Sequence, residues 1–313
     1  MPNPAAFQLP QEFLLVGAAV EIGLFDEIKK GSSTLQELSV RLDVDYRALW
    51  TVTEALVELG YVVYSDNEQI ELTKEAENIF YNLAHSDYTG FSFMHGYNLI
   101  TSWIQLPEVI KTGKPASRKD KGRHSKDFIR AMSYHAQRSA ALIADYCMRG
   151  LPAGRKVLDV GGGPLTYAKA FAERGAAVTV LDLPEVIDMM SSELDQALPV
   201  KMVKGDFTVG LPAGPYDLVY LGNVCHIYGE KENRRLFIDA AKETVKGGHI
   251  IISDMIRGTG ARAAVFAVNM LINTVSGGTW TYEQYKVWLE DAGFRVCPWE
   301  EVGGAQLIRG IKE

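Results

Sequence analysis

Apolar positions near the start of the chain recur at helical spacing. Leu14, Leu15, Ala18, Ala19, Ile22 and Phe25 predict one amphipathic helix, which Gly31 closes together with Ser32 and Ser33. Thr34 then caps a helix through Leu38, and a second helix over residues 46–59 stops at Gly60. Residues 61–64 and 69–72 read as short strands around the turn Asp66-Asn67. Between positions 83 and 106 the aromatic residues Tyr88, Phe91, Phe93, Tyr97 and Trp103 read mostly as core. Residues 111–126 (KTGKPASRKDKGRHSK) are basic, with Gly and Pro, and read as a linker loop before a helix over 126–149. After Leu151-Pro152 the period changes. Residues 156–160 (KVLDV) form a buried-strand pattern, followed by Gly161-Gly162-Gly163 and an amphipathic helix over 167–174. Further strands are predicted at 178–181, 200–204 and 218–221. A helix over 232–245 and the turn Lys246-Gly247-Gly248 lead into a strand at 249–253, and a helix at 281–292 and a hairpin from 294 to 311 end the pattern.

Helix, turn, helix and two-stranded wing is a winged-helix pattern, which suggests DNA binding. Its charge argues otherwise: ten acidic residues from Glu37 to Glu77 stand against Arg41, Arg47 and Lys74, whereas gripping phosphates needs the opposite balance. Packing or dimerisation is the expected role. The alternating second half predicts an α/β, mostly parallel, doubly wound sheet with an antiparallel C-terminal strand. Three regions follow: a mainly α winged-helix domain over 1–112, a linker loop and connecting helix over 113–146, and a Rossmann-like domain over 147–313.

The net charge of −7 argues against a chain devoted to nucleic acid or anionic lipid. Cys147, Cys225 and Cys297 are too far apart and too few for a disulfide framework or a metal cluster, so no metal is expected and a reducing cytoplasm is. The first apolar stretch is interrupted by Glu21, and no membrane or export segment is expected.

Strand, glycine loop and helix make a nucleotide-site geometry. Asp182, nineteen positions beyond Gly163, stands at the spacing where an acid meets a ribose diol. A dinucleotide fingerprint would need a third glycine at position 166, which is Thr, so NAD is disfavoured. Asp159, two residues before the loop, suits a ligand with an ammonium group, and S-adenosylmethionine has that cationic end. Gly205-Asp206-Phe207 offers an acid and an aromatic face for an adenine. Each of these motifs, and Asn223-Val224-Cys225-His226, falls at a predicted strand end, where such sheets bind ligands.

With these motifs in order, the sequence resembles the class I S-adenosylmethionine-dependent O-methyltransferases of the plant caffeate and bacterial hydroxyneurosporene type, over nearly the whole chain. The resemblance implies a winged-helix dimerisation domain, a homodimer, a small-molecule acceptor and S-adenosylmethionine as cofactor, with S-adenosylhomocysteine as product. It places Asp159, Gly161 and Gly163 at the methionine end of the cofactor and Asp182 with Leu183 at the ribose. Asp206 and Phe207 fall at the adenine, with Gly222 and Asn223 completing the set. His226 stands at the catalytic base and Asp254 at the acid that orients it. Met94, Tyr97, Trp103, Met132, His135 and Met270 would line the acceptor pocket.

Three departures accompany the match. Leu165 replaces the last loop glycine and is expected to narrow the approach to the cofactor; Ile227-Tyr228 follows His226 where Asp-Trp is usual; and Thr279 takes the place of a second acid. The function these readings favour is methylation of a phenolic hydroxyl on an aromatic or polyketide-like metabolite, with His226 as base. The departures leave open a non-methylating chemistry that keeps the sulfonium intact, and a ligand-sensing winged-helix regulator is a third reading. Cys225, adjacent to His226 in a presumed strand, would point to the opposite face and reads as a small buried hydrophobe.

Overall fold

Caps and glycines set the N-terminal elements. The computed structural model describes residues 7–31, 33–65, 67–117 and 121–313, with the backbone alone over 121–127. Two predicted turns therefore lie partly outside the described residues, at Ser32 and Asp66, as do residues 118–120 of the basic segment. The chain divides into two units, Met1–Ile100 and Thr101–Glu313.

In the first unit, α1 (Gln11–Glu21) and α2 (Leu24–Lys29) replace the single predicted helix. Gly23 between them takes φ +82°, a left-handed conformation that ends α1 despite continuing apolar spacing. β1 (Ser33–Thr34) leads into α3 (Leu35–Leu42), where Thr34 and Glu37 form the reciprocal bonds of a capping box. α4 (Tyr46–Glu58) starts at Asp45, whose carboxylate accepts the Ala48 N–H at 2.8 Å. β2 (Val62–Tyr64) and β3 (Gln69–Leu72) pair antiparallel, with β1 on the other side of β3. α5 (Lys74–Phe80) follows, and α6 (Gly90–Trp103) carries the aromatic stretch. This unit has its own core, in which Leu24, Phe25, Leu38, Leu56 and Ile70 are almost wholly buried.

In the second unit, α7 (Leu106–Thr112), α8 (Lys121–Gln137) and α9 (Ala140–Cys147) precede the sheet. The predicted loop over 111–126 is thus shorter, since α7 runs into it and α8 begins at Lys121. The single predicted helix over 126–149 is two, broken where Ser139 N–H turns back to the Ala136 carbonyl at 3.1 Å. β4 (Lys156–Val160), α10 (Thr166–Ala172), β5 (Ala177–Asp182), α11 (Pro184–Met190), β6 (Val200–Lys204) and β7 (Tyr216–Gly222) continue the alternation. α12 (Glu230–Glu243) and β8 (Thr244–Asp254) follow. The predicted turn at Lys246-Gly247-Gly248 lies inside β8, beside the register shift opposite Tyr216 and Leu218, with Gly247 at φ +78°. The end comprises α13 (Ala261–Asn273), α14 (Tyr282–Asp291), β9 (Phe294–Val296), β10 (Glu300–Val302) and β11 (Ala305–Lys312). The predicted hairpin is three strands: β9 and β10 both pair with β11.

The sheet order is β10-β11-β8-β7-β4-β5-β6, with β4 to β8 parallel and β11 antiparallel, as the alternation predicts. Two apolar layers cover it. One gathers Val157, Phe171, Val180 and Tyr220 under α9 and α10; the other gathers Leu158, Val219, Phe237, Ile252 and Tyr285 under α12 and α14. From β4 the chain proceeds to β5 and β6 on one side and later to β7 and β8 on the other. That reversal opens a crevice beyond the C-terminal ends of β4 and β7, which is where parallel sheets of this kind place ligands.

Candidate active site

The loop after β4 is built around two carboxylates. Asp159, at the end of β4, is completely buried, and its Oδ2 has no hydrogen-bond partner. Burial first, and then the charge of Asp182, push its pKa up to about 8. The backbone presses on it closely, for a Cβ added at Gly162 would lie 2.5 Å from the Asp159 carboxyl carbon. Gly161 takes φ +69° and a Cβ there would meet Val224 at 2.7 Å, so the loops after β4 and β7 touch across the crevice.

Asp182 ends β5 and is tied to the same loop. Its Oδ2 accepts the Gly163 N–H at 2.8 Å and its Oδ1 accepts the Leu183 N–H at 2.7 Å. Burial raises its pKa, while these two backbone donors act in the opposite sense. A Cβ at Gly163 would stand 2.7 Å from Asp182 Oδ2, so only glycine brings this backbone so near. Leu183 is exposed at the start of α11.

Beyond β6, Asp206 Oδ1 accepts both the backbone N–H and the hydroxyl of Thr208, at 2.8 and 2.7 Å. Phe207 meets the edge of Tyr228 with ring centroids 4.9 Å apart. Burial, followed by the charges of Asp206 and Asp182, raises the Tyr228 pKa. Tyr228 had no signal in the sequence beyond its being a departure from the usual Trp.

β7 ends at Gly222, and Asn223 adopts φ +58° with its N–H donated to Ser253 O at 2.9 Å. Residues Cys225–Ile227 then form a 3₁₀ turn rather than strand, which corrects the premise of the strand-alternation argument for Cys225 and His226. Cys225 is nonetheless buried, and burial holds its thiol pKa far above the ordinary value. Asn233 pins the turn by donating to Cys225 O, Tyr228 O and Gly229 O, the indole of Trp280 donates to Cys225 O at 3.2 Å, and Gly278 N–H donates to His226 O at 2.9 Å. Asn233 and Trp280 were not singled out from sequence in this role, because their partners are backbone carbonyls, which carry no residue-type signal, and for Trp280 the partner is also 55 positions away.

Held there, His226 Nδ1 lies 2.6 Å from Asp254 Oδ1, and its backbone N–H donates to Asp254 Oδ2 at 3.0 Å. Both side chains are buried, and Phe266 of α13 presents a perpendicular ring to the imidazole at 4.9 Å. An ionised carboxylate only accepts, so the Asp254 bond puts the imidazole proton on Nδ1 and leaves Nε2 with a free lone pair. Thr279, at the position of the missing second acid, is wholly buried; its hydroxyl donates to Ala263 O at 3.1 Å and accepts from Arg257 Nε at 3.4 Å.

The structure distributes the predicted acceptor residues. Met132 and His135 lie on α8 and Met270, buried, on α13. Partial burial, then the nearby cations of Arg138 and Arg262, lower the His135 pKa. Trp103 is anchored by its indole N–H to Asn269 Oδ1 at 3.0 Å. Met94 and Tyr97 belong to the first unit, where Tyr97 lies on α1 so closely that a Cβ at Gly17 would be 2.0 Å from its ring. Leu165 is strained at φ +61°, and its side chain is buried in the layer under α9 and α10 rather than filling the loop mouth. Among the described residues, no group of three His, Cys, Asp or Glu could hold a metal ion, and no helix is long and apolar enough to cross a membrane.

An unpartnered buried carboxylate oxygen, a glycine cradle that side chains would fill and an acid at the next strand end fit a ligand with a cationic amino group and a ribose. The residues suit S-adenosylmethionine.

Residues 109–295 match the family described as O-methyltransferase domain. Among characterised relatives, 3-hydroxy-5-methyl-1-naphthoate 3-O-methyltransferase of Streptomyces sahachiroi is 24% identical, the match covering 94% of this chain and 90% of that protein. Of solved structures, the mitomycin 7-O-methyltransferase MmcR superimposes with a TM-score of 0.77 at 17% identity, over 97% of this chain and 94% of that one. Human N-acetylserotonin methyltransferase in complex with S-adenosylmethionine does so at 0.73 and 19% identity, over 96% and 94%. The match to more than half of the chain and the fold agree with the site, and the protein belongs to the O-methyltransferase family as an S-adenosylmethionine-dependent methyltransferase.

Proposed function

We propose that the protein methylates a phenolic hydroxyl of a small aromatic or polyketide-like metabolite, with His226 as general base and Asp254 as the group that orients it. The observation that carries this reading is the buried His226–Asp254 pair, 2.6 Å apart, at the same sheet reversal that holds the unpartnered carboxylate of Asp159. In the proposed arrangement Asp159, Gly161 and Gly163 hold the amino acid end of the cofactor. Asp182 and Leu183 take the ribose, and Asp206 with Phe207 takes the adenine beside Tyr228. Gly222 and Asn223 complete the far wall. Trp103, Met132, His135 and Met270 are the acceptor-side residues of this unit, where thioethers adapt to flat rings.

When bound, S-adenosylmethionine supplies an electrophilic methyl carbon on a good leaving group. The residues do the rest. Nε2 of His226 would accept the acceptor's hydroxyl proton as that oxygen is methylated. Asp254 stabilises the imidazolium so formed. A phenol, ordinarily near pKa 10, comes within range of an imidazole when proton loss is coupled to transfer, and the base contributes about 10²–10⁴-fold. Aromatic acceptors also fit the Streptomyces relative, a 3-hydroxy-5-methyl-1-naphthoate 3-O-methyltransferase.

On the first unit, Tyr46 and Trp50 stand one turn apart on α4 and are each 48% exposed. They favour a homodimer through this unit. DNA binding is opposed by its charge: of the three cations between residues 37 and 77, Arg41 pairs with Glu27 at 3.3 Å and Lys74 with Glu77 at 3.5 Å.

The test supplies S-adenosylmethionine with a labelled methyl group and a small-molecule extract of the source cell, followed by mass spectrometry. Label is expected on a phenolic product with wild type. His226→Ala should lower turnover by about 10²–10⁴-fold while cofactor affinity stays within about twofold. No transferred label despite cofactor binding would reject methylation, and equal loss of turnover and cofactor affinity would reject the base.

A further inference from the structure

Asp254 accepts more hydrogen bonds than holding one imidazole requires. Its Oδ1 takes the His226 ring at 2.6 Å and the Met255 N–H at 2.7 Å, while its Oδ2 takes the His226 N–H at 3.0 Å and the phenol of Tyr285 at 3.3 Å. Three of these donors come from residues adjoining the carboxylate or from the base itself. The fourth, Tyr285, arrives from α14, an element with no other hydrogen bond to the pair.

Tyr285 has no exposure at all, and its ring packs against Trp288 at 5.8 Å and Phe237 at 6.4 Å. For packing alone, phenylalanine would fill the same space. Burying a hydroxyl costs about 1–3 kcal/mol unless a hydrogen bond offsets it, so this O–H is explained by its acceptor. Burial, and next the charge of Asp254, hold its pKa far above the ordinary value, so the phenol remains a donor wherever the enzyme works. A carboxylate can rotate about the bond that joins it to its Cβ, and each further donor narrows that rotation. With Tyr285 and the His226 backbone both on Oδ2, Oδ1 is left facing the imidazole.

We propose that Tyr285 is a positioning residue of the reaction: its hydroxyl fixes the Asp254 carboxylate so that Oδ1 stays on His226 Nδ1 and Nε2 stays aimed at the acceptor. This rests on the reading of His226 as the base. Tyr285 makes its hydrogen bond to Asp254 and its ring contacts with Phe237 and Trp288, and acts on the base through Asp254.

Tyr285→Phe keeps the ring and removes only the donor. It is expected to lower kcat on the order of tenfold, the loss of one hydrogen bond to a charged group, with the cofactor KM unchanged. In the Asp254→Asn background the same change should cost nothing further. A second readout needs no acceptor: the His226 Nδ1 proton, assigned in the far-downfield NMR spectrum by its absence from His226→Ala, should be displaced in Tyr285→Phe. An unmoved resonance, or an equal kcat loss in both backgrounds, would overturn the proposal and leave Tyr285 a packing residue. If methyl transfer itself fails, the resonance still decides the question.

Discussion

Asp159 is an expensive residue to bury, and its cost has a pH signature. With its pKa raised to about 8 by burial and by Asp182, the ligand-free folded chain keeps a proton that an unfolded aspartate releases near 3.8. Between those values the unfolded state binds fewer protons, so this residue's contribution to stability falls as pH rises from about 4 to about 8. Asp159→Asn should remove that slope. Thermal melts of the ligand-free protein should then show the variant gaining steadily on wild type as pH rises from about 4 to about 8. Its affinity for S-adenosylmethionine should drop by at least about tenfold, since an amide cannot neutralise an ammonium. A variant that binds the cofactor as wild type does would detach Asp159 from the amino group. The type and place of this residue were legible in sequence, an acid two positions before a glycine loop. Its unpartnered oxygen was not, because that depends on Gly162 lying against the carboxylate from the far side of the loop.

The elements that sequence located best are those with their own punctuation. β4 and β6 span the predicted residues, each a short stretch rich in Val, Leu or Met that runs directly into a glycine. Thr34 announced its helix by its own side chain, and Gly60 the end of the next. Breaks inside an apolar period were invisible: Gly23 and Ser139 end helices whose hydrophobic spacing continues. The turn bearing His226 was read as strand because the bonds that hold it run from the side chain of Asn233 and from Gly278 and Trp280, the last two distant in sequence, to backbone carbonyls. The glycine loop carries an element-scale prediction. Leu165 opens α10 in the left-handed region, which costs about 1–2 kcal/mol, yet its buried side chain contributes about 2–5 kcal/mol of packing. Packing is the larger quantity, so Leu165→Gly should destabilise the protein in denaturant melts despite relieving strain. Cofactor affinity should not improve, because the side chain lies in the core rather than in the loop mouth. A tighter-binding variant would show that Leu165 does restrict entry.

At the scale of the molecule, every residue proposed to hold the cofactor belongs to the unit Thr101–Glu313, at strand ends that one sheet joins. Sequence anticipated this sheet because consecutive strands alternate with helices, and the reversal between β4 and β7 then fixes where the loops converge. The pairing of β9 and β10 with the same edge of β11 could not be read, since both are three-residue strands whose register depends on that partner. Ligand linkage should therefore be a property of one unit. At a hundred times its Kd, S-adenosylmethionine would stabilise the state that binds it by about 2.7 kcal/mol, equivalent to roughly hundredfold slower exchange of amides that open only with that unit. Hydrogen exchange should show this slowing at Val157, Leu158, Leu218 and Ile251 in the central strands. Val16, Leu24 and Ile70, in the separate core of the first unit, should exchange at an unchanged rate. Equal slowing in both cores would mean that the stabilisation is not confined to the unit that holds the sheet ends.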